Sequence, residues 1–377
     1  MSDNHLHIVA FDVPYPPNYG GVIDVFYKIK ELYLRGIRLH LHISEYPGRD
    51  RAPELEKMCE SVIYYPRLTG IKSAFSIKPY IVKSRRSTDM INNLLKDDYP
   101  ILFEGLHSCY YIDDKRLRKR LLIYRESNIE HQYYINLFKA ERHWGKKAYF
   151  LVESIKLLLF QKKLRHADVM LVVSNSDKDY LKNCFPEKEV YFLPSFHANA
   201  NIVSIEGKGD YFLYHGNIEV PENEVAASFL IRKVFSDSPH KLIIAGMNPP
   251  KTIYQLASRY NNIEVIANPD EKMMFKLIRD AQANILVTFQ ASGLKLKLLN
   301  TLYNGRFCIV NSTMLNGTNL DELCIIGNNS SELRTILNEI ANKEFTQDIV
   351  SEREQILQLN YSNIVNADRM IDIIFNR

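Results

Sequence analysis

Short apolar runs alternate with longer amphipathic stretches along nearly the whole chain. Runs at His5–Phe11, Arg38–Ser44, Ser61–Tyr65, Ile101–Glu104, Leu121–Arg125, Val169–Val173 and Val190–Pro194 have the length and composition of buried strands. Between them, helical periodicity predicts helices at about Val22–Arg35, Ser87–Lys96, Ile129–Arg142, Ala148–Arg165 and Ser176–Asn183. The polar stretch Ser195–Gly209, with Asn199, Asn201, Gly207 and Gly209, reads as an interdomain linker. A second series follows, with strands at Tyr211–Tyr214, Lys241–Ala245, Ile263–Ile266, Ala283–Val287 and Phe307–Val310. Its helices are expected at about Asn223–Val234, Thr252–Arg259, Asp270–Arg279 and Ser292–Tyr303. This is an α/β pattern of two Rossmann-like, doubly wound domains facing a cleft, 1–200 and 201–347. A helical segment, 348–377, completes the chain and is free to pack back on the first domain. Ligands are expected at the carboxyl ends of the strands.

A chain of 377 residues, 46% hydrophobic and 24% charged, fits two soluble domains. Met1–His7 is polar, and no apolar run approaches the roughly 18–20 residues of a transmembrane helix, so a cytoplasmic protein is expected. Five scattered cysteines without a CxxC spacing argue for reduced thiols and against a cysteine-built zinc site. Charge is unevenly divided. Residues 1–200 carry a net +7 and residues 201–377 a net −3. The basic half suggests an anionic partner or surface but no nucleic acid, since no motif for one is present. Tyr149–Arg165, flanked by Lys146, Lys147, Lys162 and Lys163, reads either as a helix lying on an anionic membrane or as a core helix with a solvated end.

The candidate chemistry concentrates in Thr288–Val310, read as loop, helix, turn and strand. Lys295 and Lys297 fall in the first turns of that helix, where cations oppose the helix dipole. Either an anionic ligand, such as a diphosphate, compensates them, or they form a solvated basic helix start. Gly20 and Gly21 let backbone approach a ligand closely, or else serve a turn that needs positive φ. His107 follows the strand ending at Glu104, and Glu104 is either a buried partner or a second site residue. Arg125, Glu126, Asn128, Glu130 and His131 crowd the end of another strand. They suit acceptor hydroxyls or phosphate, or a helix start capped by Ser127 or Asn128. Asp177-Lys178-Asp179 looks like a metal motif, yet its place after Ser174 and Ser176 favours helix capping. No metal and no cofactor are expected.

Pro16–Gly21, Leu213–Asn217, Ile243–Gly246, Gly293–Asn300 and Asn304–Phe307, in this order and spacing, resemble retaining bacterial glycosyltransferases of the two-Rossmann-domain (GT-B) type, family 4 or group 1. The resemblance covers nearly the whole chain. It implies hexose transfer from a UDP-, GDP- or dTDP-sugar to a glycan or lipid-linked acceptor in surface polysaccharide or lipopolysaccharide synthesis, at the inner face of the cell membrane. It implies donor contacts at Gly20, Gly21, Gly216, Asn217, Gly246, Gly293, Leu294, Lys295, Lys297 and Asn300. His107 would hold the donor sugar for reaction, and Arg125, Asn128 and Glu130 would serve the acceptor. The chain departs from the family at Asn300 and Ser292, where glutamates are usual, and at His215–Asn217 and Pro221-Glu222, where a basic pair often follows. These losses leave room for a catalytically degenerate binding module, and the same fold also serves nucleotide-sugar epimerases.

Overall fold

The computed structural model describes residues 4–46, 48–70, 76–141, 143–289 and 296–376. They divide into two compact units. One holds the described residues up to Ala198 together with those from Asn360 onward; the other holds those from Asn199 to Leu359.

The first unit is built on seven strands: β1 (His5–Ala10), β2 (Arg38–Ser44), β3 (Ser61–Tyr65), β4 (Ile101–Glu104), β5 (Leu122–Arg125), β6 (Val169–Val172) and β7 (Glu189–Phe192). They lie in the order β3-β2-β1-β4-β5-β6-β7, all neighbours parallel. Alternate residues of a strand face opposite sides, so both faces need an apolar cover. Ile101 and Phe103 enter a core with Leu157 and Phe160 of the helix Trp144–Gln161. Leu102 enters the opposite core with Val25, Ile29 and Leu32 of the helix Gly20–Leu34. Each such buried side chain contributes about 1.5–3 kcal/mol.

The second unit repeats the plan with β8 (Phe212–Asn217), β9 (Leu242–Met247), β10 (Ile263–Ala267), β11 (Ala283–Leu286), β12 (Phe307–Val310) and β13 (Ile325–Ile326). Their order is β10-β9-β8-β11-β12-β13, again all parallel. Strand order reverses between β1 and β4 in one sheet and between β8 and β11 in the other. Loops leaving such a pair diverge and open a crevice at the carboxyl ends, which is where this fold class binds ligands.

Several boundaries differ from expectation. The first long helix starts at Gly20, not after Gly21. Strand β13 and the helix Ser330–Ile340 were not anticipated. Leu333, Ile336, Leu337 and Ile340 nonetheless keep helical spacing behind the N-cap Asn329, so that helix was legible. The C-terminal segment breaks at Ser362 into Gln347–Tyr361 and Asn363–Phe375. The second piece joins the core that covers Gly20–Leu34, and Asp368 pairs with Arg35. Among the described residues no helix is long and apolar enough to cross a membrane.

Candidate functional site

Past the ends of β1 and β4 in the first unit, Phe11, Gly21, Gly105 and His107 lie close together. A Cβ on Gly21 would lie 2.7 Å from the Phe11 ring, so the glycine lets the helix start close on that ring. Neither Gly20 nor Gly21 has positive φ, which corrects the turn reading: both belong to the first turn of a helix whose N-cap, Tyr19, makes no side-chain bond. Gly105 does sit at φ +68°, and a Cβ there would come within 3.2 Å of His107 Nδ1. The chain can therefore swing His107 over Phe11, with ring centroids 5.4 Å apart.

His107 Nδ1 lies 3.7 Å from Glu130 Oε1, too far for a hydrogen bond, and the His107 side chain is 21% exposed. That nitrogen has no hydrogen-bond partner among the described residues. Burial, reinforced by Arg85 and Arg67, holds the imidazole well below its usual range. Burial also pushes the Glu130 carboxyl up to about 8, against the pull of Arg85. At neutral pH the pair is thus an uncharged imidazole beside a protonated carboxyl, suited to hydrogen-bonding a neutral sugar hydroxyl. Glu130 opens the helix Glu130–Ala140, whose N-cap is Ile129 rather than Ser127 or Asn128. Asn128 is half-buried in the preceding bend. Glu126 is fully buried, and burial with Asp177 nearby raises its carboxyl well above the ordinary range.

Arg125 requires a correction. It is 0% exposed, and its guanidinium is bound to Asp24 and to the carbonyls of Leu193 and Pro194. Those bonds leave it a structural residue rather than an acceptor ligand. Lys28 bridges Asp24 at 2.9 Å and Glu104 at 2.7 Å, which makes Glu104 a buried partner. Burial works against ionised Asp24, yet Arg125 and Lys28 outweigh it and hold that carboxyl below the usual range.

In the second unit, Gly216 near the end of β8 sits at φ +151°, in register with Gly246 of β9. A Cβ on Gly246 would stand 1.7 Å from the Gly216 carbonyl oxygen, so Gly246 serves strand contact first. Asn217 is half-buried; its side chain accepts from the Glu219 amide and its carbonyl from Asn223 Nδ2. Lys297 sits on the helix Leu296–Asn304 with Nζ 3.3 Å from Asn223 Oδ1 and 5.8 Å from the Tyr214 ring centre. His215 bonds Thr301 Oγ1 at 3.1 Å, and burial, helped by Lys297, lowers it to about 3. A lysine, a neutral histidine and a neutral tyrosine therefore gather at the end of β8. The Asn300 side-chain oxygen is engaged by Asn304 Nδ2 at 2.7 Å. Gly293, Leu294 and Lys295, with Ser292, lie outside the described residues. Asp177 is bound by Ser174, the N-cap of the helix Asn175–Cys184. Among the described residues no group of three or more metal-ligating side chains is assembled.

Sequence reasoning missed a histidine network. His5 and His7 on β1 bond His40 and His42 on β2 at 2.9 and 2.8 Å, and His42 continues to Tyr65 at 2.8 Å. His7 also bonds Asp97 at 2.9 Å. Burial lowers His7 to about 4 and His42 to about 3, so both are neutral links in the network. Its signal was the repeated His-x-His spacing, which puts each pair on one strand face.

No family model matches the chain. It is 27% identical over 383 residues, 94% of this chain and 96% of the relative, to an "uncharacterized 44.6 kDa protein in cps region" of Klebsiella pneumoniae. Among solved structures it resembles sucrose-phosphate synthase from Thermosynechococcus elongatus, with TM-score 0.68, 14% identity and 98% of each chain covered. It resembles HepE of Anabaena, in complex with UDP and glucose, with TM-score 0.65, 10% identity and 98% of each chain covered. A mutant of S. aureus TarM, in complex with Fondaparinux, alpha-GlcNAc-glycerol and UDP, matches with TM-score 0.65, 10% identity and 99% and 100% coverage. The chain has the GT-B fold of two Rossmann-like domains.

Proposed function

We propose that this chain is a glycosyltransferase moving a hexose from a nucleotide-diphosphate sugar to a glycan or lipid-linked glycan in surface polysaccharide synthesis. The observation that carries the reading is Lys297, held beside Asn223, Tyr214 and His215 at the end of β8. An ammonium fixed beside Asn223 at the end of a strand can stabilise a diphosphate leaving group as charge develops. UDP in the HepE and TarM structures supports a nucleotide sugar, and the cps-region relative supports polysaccharide synthesis. Retention is carried by the family resemblance. Metal independence is carried by the lysine, and activity should persist in excess chelator. The engagement of Asn300 by Asn304 favours the second reading, a binding module that has lost turnover.

The test is nucleotide binding. Calorimetry with UDP, GDP and dTDP should find one that binds, and Lys297→Ala should weaken it by about 1.5–3 kcal/mol, the range for a charged hydrogen bond. Unchanged affinity would remove Lys297 from the site. Turnover of the bound nucleotide's sugar then separates the enzyme from the binding module.

The membrane partner belongs to the same proposal. On the helix Trp144–Gln161, Trp144 is 83% exposed, and Val152, Ile155 and Leu159 are each at least half exposed. Lysines flank this apolar face, a composition that suits an anionic bilayer surface. Co-sedimentation with anionic vesicles should be strong at low salt and fall as salt rises, because the Debye length shrinks to about 8 Å at physiological ionic strength. Equal binding to neutral vesicles, or none at low salt, rules this contact out.

A further inference from the structure

Two arginines of the first unit, Arg67 and Arg85, stand near His107. Arg85 is buried; it donates through Nε to the Phe11 carbonyl at 2.8 Å and through a terminal nitrogen to the Ile81 carbonyl at 2.5 Å. Arg67 donates through Nε to Ser84 Oγ at 2.9 Å, and Ser84 Oγ in turn donates to the Ile81 carbonyl at 3.4 Å. One chain of hydrogen bonds therefore links the two guanidiniums through a buried serine. Tyr46 and Tyr80 hold Arg67 from the sides, with ring centres 4.7 and 5.6 Å from its guanidinium carbon. Neither arginine has a carboxylate within ion-pair distance among the described residues.

Of the nearby acids, Asp12 offsets part of the Arg85 charge from a distance. Asp12 accepts from Tyr19 at 2.6 Å and from the Val13 amide at 2.8 Å. Glu130 is held protonated by burial. Burial first, and repulsion from Arg67 second, bring Arg85 down to about 9 against the pull of Asp12, still charged at neutral pH. Holding two like charges rigidly together is costly unless something anionic compensates them. Guanidinium groups are also the side chains best matched to phosphoryl oxygens.

We propose that Arg67 and Arg85 form a phosphoryl-binding site, for a phosphate or diphosphate group carried by the acceptor. A doubly charged group matches the two guanidiniums, whereas a single carboxylate leaves one uncompensated. The assignment to the acceptor rests on the glycosyltransferase reading, in which Lys297 of the second unit takes the donor diphosphate. The binding of a phosphoryl group itself does not depend on that reading.

Inorganic pyrophosphate is the probe, titrated calorimetrically into the full chain carrying Lys297→Ala, so that the other cation is absent. This host should bind pyrophosphate, and adding Arg67→Gln should weaken binding by about tenfold or more. Arg67→Lys, which keeps the charge and loses the fork, should fall between the two, and it serves if the glutamine variant does not melt cooperatively. Equal affinity in host and variants, or no binding to the host, overturns the site. In transfer assays with Lys297 intact, Arg67→Gln should raise KM for a phosphoryl-bearing acceptor and leave donor KM unchanged. A raised donor KM with unchanged acceptor KM overturns the acceptor assignment. A chain that binds pyrophosphate through Arg67 yet transfers no sugar contradicts the glycosyltransferase reading and not the site.

Discussion

Replacing Asp24 by asparagine is expected to lower the stability of the chain by about 3–5 kcal/mol, the usual cost of stripping the partner from a buried charge. Asp24 touches Arg125, Lys28 and the Phe196 amide, all from a position only 2% exposed. Asparagine keeps one oxygen acceptor but not the charge, so Arg125 is left with only neutral acceptors, the carbonyls of Leu193 and Pro194 among them. Arginine cannot shed its proton to escape the penalty. Glu104→Gln should cost much less, because Lys28 keeps Asp24 and glutamine keeps an oxygen acceptor. Chemical denaturation of the three proteins checks both statements. Similar losses at the two positions would mean that the cluster's charge does not govern its stability.

His107→Ala is expected to lower the transfer rate by about a hundredfold or more while nucleotide affinity stays nearly unchanged. A group that positions the reacting sugar matters more in the transition state than in the bound ground state. Melting should shift little, since His107 is partly exposed and its Nδ1 makes no bond to lose among the described residues. The protonated Glu130 beside it gives a second readout. Because its folded pKa is raised to about 8, it is neutral below that pH and becomes a carboxylate above it. Placed 3.7 Å from His107, that new charge perturbs the imidazole, so kcat/KM should decline above about pH 8. Glu130→Gln should abolish this alkaline limb. A stable His107→Ala protein with unimpaired transfer would falsify the placement of the reaction at this crevice.

The elements best read from sequence are those whose burial leaves a local trace. Strands β2, β3, β4 and β12 have the expected ends, and β4 and β12 are short apolar runs buried along their whole length. Ile325–Ile326 is too short to make such a run, and β13 is an edge strand added only by its pairing with β12. His107 and Lys297 drew attention in the sequence because one follows β4 closely and the other opens the helix between β11 and β12; their roles are those proposed above. Arg125 occupies a similar place and was misread. Sequence puts it at a strand end but does not say that Asp24, 101 residues earlier, closes on it from the first helix. The same limit hid the arginine pair. Ser84 joins Arg67 to Arg85 only after the chain between them has folded back. Local spacing, which fixes periodicity and strand ends, determined the α/β plan and the candidate positions. Which polar groups are paired, and hence which charges are left for a ligand, is set by contacts between residues far apart in the chain, and only the tertiary structure decides it.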